Sequence, residues 1–330
     1  MSTVPAHSPR PRPGLDPELA TLLAQVPPAP PLTHETLPQV RPFASTPVEP
    51  LLEGRGLLRR ELTFAARDDV ELPVTVLSAG SESPPPCILW LHGGGMVMGD
   101  RYSQLALPLE WSDRFGATIV TPDYRLAPES GGTTLVEDAY DALRWTADHA
   151  AELGIDPDRL VVAGTSAGGG LAAGVTLMAR DLGGPAIAAQ MLIYPMLDHR
   201  NTSTSSQQYA GPGVWSREAN AFAWGAVLAP LAGAEVPAFV SPALASDLSG
   251  LPPTYLDAGT AEVFRDEDVV YASRIWAAGG QAELHVWAGG FHGFDAFFPD
   301  AEVSRAARRA RVDWLARVLD VAGSGAGVLG

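Results

Sequence analysis

The order of apolar segments along the chain predicts an α/β fold, a mostly parallel sheet of about eight strands covered by helices on both faces. Two observations carry this expectation. Fully apolar runs of strand length, Cys87–Leu91 and Ala117–Thr121, lack the polar alternation of a half-exposed strand and so belong in the middle of a sheet. Beyond them strand-like and helix-like segments take turns, and such alternation requires crossover helices between parallel strands.

In chain order, residues 1–55 are rich in proline, with only a short amphipathic stretch around Leu19–Leu23, and read as a mobile arm or part of a lid. Alternating or short apolar runs at Arg60–Ala66 and Val70–Leu77 predict more exposed strands, followed by the two buried ones above. A helix is expected over Glu137–Ala151, a strand over Leu160–Ala163, a helix over Gly169–Arg180 and a strand over Ala188–Tyr194. The last two strands fall at Pro253–Leu256 and Ala282–Trp287, with helices over Asp266–Ala278 and Glu302–Val321.

The rhythm breaks over 198–248, which is polar and Ser/Thr-rich at first and then places Trp215, Phe222 and Trp224 at roughly helical spacing. An insertion there stands above the C-terminal ends of the strands, where open α/β sheets bind ligands. The expected organisation is therefore an arm over 1–55, a core over 56–197 and 249–330, and an insertion over 198–248 that forms a cap with the arm.

Composition narrows the chemistry. The chain has 330 residues, 46% hydrophobic, and a formal charge of -16, enough apolar material for a sizeable core inside a surface that repels nucleic acid and anionic lipid. A neutral small-molecule substrate is expected, with neither nucleic acid nor membrane as partner. Every basic side chain other than histidine is arginine, which excludes Schiff-base chemistry and the phosphate-loop lysine. Cys87, the one cysteine, lies in an apolar strand and reads as a core residue. No apolar stretch resembles a secretion signal or a membrane span, so the expected location is the cytoplasm.

The chemistry concentrates in two glycine-rich turns. Leu160–Ala163 runs into Gly164-Thr165-Ser166-Ala167-Gly168 and then a helix, so Ser166 stands at the apex of a strand–turn–helix with small neighbours. Such a turn raises the hydroxyl above the sheet beside a helix N-terminus, as a nucleophile requires. The strand Cys87–Leu91 ends in His92-Gly93-Gly94-Gly95, where free backbone N–H groups suit a tetrahedral oxyanion. The expected donors are the N–H groups of Gly93, Gly94 and Ala167. Among seven histidines, His292 follows the last strand, the position expected of the base in the chain order Ser, acid, His. His7 and His34 fall in the arm, His149 and His285 read as structural, and His199 at most lines the site.

These motifs resemble the bacterial hormone-sensitive-lipase-like esterases within the α/β-hydrolases. The likeness rests on HGGG at 92–95, Asp123-Tyr124-Arg125-Leu126-Ala127-Pro128-Glu129, GTSAGG at 164–169, Tyr194-Pro195-Met196-Leu197-Asp198, Arg265-Asp266-Glu267 and Phe291-His292-Gly293-Phe294. It implies the α/β-hydrolase fold with an eight-stranded sheet, a cap from the arm and insertion, and activity on short- to medium-chain acyl esters. It also implies that Asp123–Glu129 supports the oxyanion loop, which agrees with reading Arg125 from the residues as a buried ion-pair partner and not a catalyst. Relatives of this kind often dimerise, and an exposed last strand or helix would serve. Ser130-Gly131-Gly132-Thr133 departs from the His-Pro-Phe-Pro-like stretch usual there.

Several carboxylates compete for the acid. Asp257 lies close to the strand itself, and Asp266–Asp268 look like helix-start residues favoured by the dipole. Alignment on Arg265-Asp266-Glu267 places the family acid on Glu262, usually an aspartate, with Asp266 and then Asp257 behind it. The expected reaction is ester hydrolysis through an acyl-enzyme, with Ser166 as nucleophile and His292 as base, and with neither metal nor organic cofactor. Met96, Met98 and Trp215 are the expected substrate-binding residues. An amidase, lactonase or peptidase would use the same triad, and a binding protein that had lost the chemistry would lack one of its members.

Overall fold

The structure, a computed structural model, describes residues 10–81 and 83–323. His7 lies outside them. One eight-stranded sheet holds β1 (Leu58–Ala65), β2 (Glu71–Ser78), β3 (Cys87–Leu91), β4 (Thr118–Pro122), β5 (Leu160–Thr165), β6 (Ala189–Ile193), β7 (Thr254–Gly259) and β8 (Ala282–Trp287). Their spatial order is β1-β2-β4-β3-β5-β6-β7-β8, with β1, β2 and β4 antiparallel neighbours and all the rest parallel. The chain reverses its strand order between β3, which pairs with β4 on one side, and β5 on the other. Both functional turns leave the sheet at that crossing.

Alternate residues of the central strands serve opposite faces. Leu89, Leu91, Val162 and Leu192 face one core together with α5 (Thr134–Asp148), α7 (Ala167–Leu182) and α10 (Arg265–Ala277). Ile88, Trp90, Val161 and Met191 face the other, against α4 (Ala106–Phe115) and α12 (Glu302–Gly323). Trp90 and Trp111 meet edge to face at 5.7 Å, and each fully buried side chain of this kind contributes about 1.5–3 kcal/mol.

The helix α4 has no counterpart in the sequence reading, because Pro108 interrupts its pattern; it lies in the first turn, where proline is tolerated. The arm likewise holds three short helices, α1 (Pro17–Leu23), α2 (Leu37–Ala44) and α3 (Glu49–Leu52), packed onto the body. Asp16 caps α1 by accepting from Glu18 N and Leu19 N, and Leu19 packs into a small cluster with Phe291 and Phe294, beside His292. Arg41 of α2 donates to Val97 O at 2.8 Å and Ala127 O at 2.9 Å and pairs with Glu129, tying the arm to the glycine loop. Of the remaining helices, α6 (Ala150–Leu153) extends α5, α8 (Thr204–Gln208) and α9 (Arg217–Leu228) form the insertion, and α11 (Phe294–Phe297) follows His292. Among the described residues no helix is long and apolar enough to cross a membrane.

Candidate active site

Ser166 terminates β5 and opens α7 with φ 54° and ψ −119°, a backbone region that a residue other than glycine occupies only under strain. Its N–H donates to Ile193 O at 2.8 Å, while its carbonyl accepts from Met196 N and Gly170 N. These contacts with the end of β6 and the first turn of α7 hold the strained turn. A side chain at Gly168 would place its Cβ 2.0 Å from Leu91 O, so the approach of the turn to β3 requires glycine there. The hydroxyl therefore stands at the helix N-terminus, where developing negative charge is favoured.

The loop after β8 brings His292 back over the sheet. Its Nε2 lies 2.9 Å from Ser166 Oγ and its Nδ1 lies 2.6 Å from Glu262 Oε2. A carboxylate only accepts, so Nδ1 carries the proton and Nε2 is left to accept from the serine hydroxyl. Glu262, fully buried between β7 and α10, has its other oxygen fixed by Gly259 N at 2.6 Å. Rings fence the imidazole: Tyr194 and Phe264 meet it edge-on, each at 5.0 Å, and Trp215 lies at 6.3 Å.

The other candidate acids are engaged elsewhere. Asp257 turns to the opposite side of β7, where its Oδ2 accepts from Arg311 Nε at 2.8 Å and Trp287 Nε1 at 3.1 Å. Asp266 accepts from Ser205 N at 2.7 Å and pairs with Arg265. Neighbouring Glu267 fastens α10 to the end of β6 by accepting from Leu197 N at 2.8 Å and Asp198 N at 3.1 Å, and burial pushes its carboxyl well above the usual carboxylate range.

On the glycine loop one expectation needs correcting. Gly93 N–H is not free: it donates to Gln104 Oε1 at 2.9 Å, a side chain from the turn before α4. The N–H groups of Gly94, Gly95 and Ala167, by contrast, have no partner among the described residues. Support for the loop comes from beneath. Tyr124 stacks on the buried His92 at 4.3 Å and donates to His92 O at 2.7 Å, while burial pushes the His92 imidazole pKa down and favours its neutral form. Arg125 pairs with Asp138 and Asp68, but it is half-buried, since Asp68 lies at the surface.

A cavity of about 780 Å³ opens above Ser166 and is lined by both the arm and the insertion, Leu32 and Val40 from one, Trp215 and Ala219 from the other. Met98 and Trp215 line it. Met96 does not: its φ of 62° turns the side chain into the core, where it is 2% exposed. His199 lies outside this cavity and bonds Ser241 Oγ at 3.0 Å; His149 bonds Trp145 O, His285 bonds Glu283, and His34 packs against Phe222. The sequence pattern names Gly95 only as part of the glycine run, not as a donor, and does not point to Gln104 or the Pro28–Leu32 stretch as cavity lining. The third glycine of a strand-end run was the available signal for Gly95; the other two depend on tertiary packing.

The profile of the family described as an alpha/beta hydrolase fold matches residues 88–296. The chain belongs to the α/β-hydrolase family. Within that family it is 36% identical over 206 residues to "Esterase LipI" of Mycobacterium tuberculosis (strain ATCC 25618 / H37Rv), a match spanning 62% of this chain and 64% of that protein. It is 33% identical over 244 residues to "Ethyl acetate hydrolase" of Pseudomonas putida, covering 71% and 74%. Among solved structures, "Bacterial Heroin Esterase" superposes with a TM-score of 0.84 at 34% identity over 92% of this chain and 98% of that one. These relatives agree with the hormone-sensitive-lipase-like resemblance of the motifs. The sheet order and both glycine turns of this α/β-hydrolase thus stand in a family context that includes named esterases.

Proposed function

We propose that this α/β-hydrolase is a carboxylesterase that cleaves small, neutral esters through an acyl-enzyme on Ser166. The observation that carries the reading is the imidazole of His292 bridging Ser166 Oγ at 2.9 Å and the buried Glu262 at 2.6 Å, beside three unpartnered N–H groups. His292 takes the serine proton as Oγ attacks the ester carbonyl, and Glu262 stabilises the resulting imidazolium. Gly94, Gly95 and Ala167 donate to the oxyanion. His292 then returns the proton to the departing alcohol oxygen, and a water activated at the same nitrogen releases the acid.

Substrate class follows from the lining. Among the described residues no arginine lines the cavity, and Glu218 stands at it as a carboxylate, so anionic substrates are disfavoured. The arm and the insertion act together as its cap, a reading supported by their shared lining of one cavity. Hydrolysis of a p-nitrophenyl ester series from acetyl to decanoyl, beside a matched anilide, tests the proposal. Turnover of the esters at least about 100-fold above the anilide is expected, and absence of ester turnover throughout the series would sink it.

Trp215 sets the size limit in this reading. A side chain at Gly95 would meet the Trp215 ring at 2.4 Å, so the indole lies directly on the glycine loop. Trp215, with Pro212–Val214 and His292, also borders a second cavity of about 400 Å³ closed by residues 12–15 of the arm. His292 protonates the alcohol oxygen, so the second cavity beside it lies on the alcohol side, and Trp215→Ala is expected to join the two and raise the octyl-acetate-to-ethyl-acetate ratio of kcat/KM by about 10-fold or more, since each added methylene is worth about 10-fold in a fitting pocket. An unchanged ratio places the size limit elsewhere.

A cytoplasmic location and a homodimer belong to the same proposal. Among the described residues the outer edge of β8 carries no further strand; Val286 of that strand is 39% exposed, and Trp276, 48% exposed, donates to Ala282 O at its start. Light scattering of the purified protein is expected to give twice the chain mass of 34.7 kDa; a monomer at micromolar concentration removes the dimer.

A further inference from the structure

Gln104 stands in the turn between the glycine loop and α4 with φ 55°, a left-handed conformation that non-glycine residues keep only where the surroundings hold it. Its side-chain oxygen accepts from Gly93 N at 2.9 Å and faces Thr165 Oγ1 at 3.4 Å. An N–H donates, so only the amide oxygen can occupy that position, and the flip that usually makes a glutamine ambiguous is excluded. The amide nitrogen is thereby turned away from the loop. Gln104 lines the catalytic cavity, and its Nε2 donates to nothing among the described residues. Two N–H donors of fixed orientation therefore stand in a cavity that is otherwise largely apolar.

Sheet order says which part of an ester they meet. Ser166 ends β5; Glu262 and His292 follow β7 and β8 on one side of it, whereas Gly93 and Gln104 follow β3 on the other. His292 delivers its proton to the alcohol oxygen, so the alcohol lies on the β7–β8 side. With the alcohol on that side and the oxyanion on the glycine loop, the acyl group takes the remaining part of the cavity, whose lining includes Gln104.

We propose that Gln104 is a specificity-determining residue whose amide NH₂ donates to an acceptor oxygen in the acyl group, so that the enzyme favours esters of short acids carrying an ether, hydroxyl or keto oxygen next to the carboxyl end over plain alkanoates. This rests on the esterase reading above. A site that holds a donor ready for such an oxygen leaves it unpartnered when the acyl chain is a pure alkane, and discrimination of this kind exceeds what added methylenes supply.

The test compares p-nitrophenyl methoxyacetate with p-nitrophenyl butyrate, which differ by an ether oxygen in place of one methylene. Their ratio of kcat/KM, divided by the ratio of their alkaline hydrolysis rates, removes intrinsic reactivity. Gln104→Glu keeps an oxygen for Gly93 N–H and loses the NH₂, while Gln104→Leu loses both. The corrected ratio is expected to exceed one in the wild-type enzyme and to fall about 10-fold in both variants. Any loss that comes from a disturbed glycine loop lowers both esters together and leaves the ratio unmoved. A corrected ratio that stays within about 2-fold of wild type in both variants overturns the assignment while the esterase reading stands. Wild-type turnover of neither ester overturns the two together.

Discussion

Ser166→Ala is expected to lower kcat on p-nitrophenyl butyrate by about 10⁴–10⁶, the largest effect of any single substitution in this chain. The variant keeps the cavity, the glycine loop and the Glu262–His292 pair, so substrate still binds and KM is expected to move by less than about 3-fold. What disappears is the atom that forms the acyl-enzyme. Water in its place must attack without the orientation that the strained turn at φ 54° imposes on Oγ. His292→Ala is expected to cost the same order, because the serine proton then has no acceptor 2.9 Å away. The double variant should be no worse than either single one, since the two residues perform one step. Purified variants, cleared of trace wild-type enzyme by reaction with a fluorophosphonate, give the measurement. A Ser166→Ala enzyme retaining more than about 1% of kcat would assign the chemistry to another group.

Much of this site is legible in the sequence because short-range constraints write it there. A serine can sit at φ 54° between a buried strand and a helix only when small residues surround it, and Gly164-Thr165-Ser166-Ala167-Gly168 states that requirement locally. His292 is legible by its place after the last strand. Glu262 is less so, because Asp257 and Asp266 are the same chemistry within a few residues; what separates them is that β7 turns Asp257 toward α12 while Ser205 and Arg265 hold Asp266.

The errors have a common origin in side chains arriving from afar. Gly93 reads as a free donor until Gln104, eleven residues on, reaches back to its N–H. Met96 reads as pocket lining until its φ of 62° turns it inward. The arm reads as irregular because Pro38 and Pro42 disguise α2, yet Arg41 in that helix grips the glycine loop. Local pattern reports what a backbone must do; it does not report which distant group occupies a donor. The same limit hides Gln104, whose role depends on which of its two amide atoms faces the cavity.

Arg311→Met is expected to destabilise the fold by about 3–5 kcal/mol. The guanidinium is fully buried between α12 and the sheet, bonded through Nε to Asp257 at 2.8 Å and through Nη1 to Asp295 of α11, with the Tyr194 ring 5.8 Å from its centre. Methionine fills much of the volume and leaves two buried carboxyl groups without their cation. Burial already holds the Asp257 carboxyl above the usual range, with Arg311 the main influence pulling it back down. Removing that influence raises it further.

The sign of the pH dependence follows from this. A carboxyl with a higher pKa in the folded than in the unfolded chain binds more protons when folded, so its penalty is absent below the unfolded value and grows as pH rises through the window above it. The deficit of Arg311→Met is therefore expected to be smallest near pH 4–5 and largest at neutral pH and above, read from denaturant midpoints. Combining it with Asp257→Asn and Asp295→Asn removes the stranded charges and should recover most of the loss, although each singly breaks the pair from the other side. A deficit below about 1 kcal/mol at pH 7.5, or one that grows toward acid, would mean that water or a neighbouring group satisfies these carboxylates without Arg311. Because the Tyr194 ring contacts both Arg311 and, edge-on at 5.0 Å, the His292 imidazole, the ion cluster also supports the floor beneath the His292 ring.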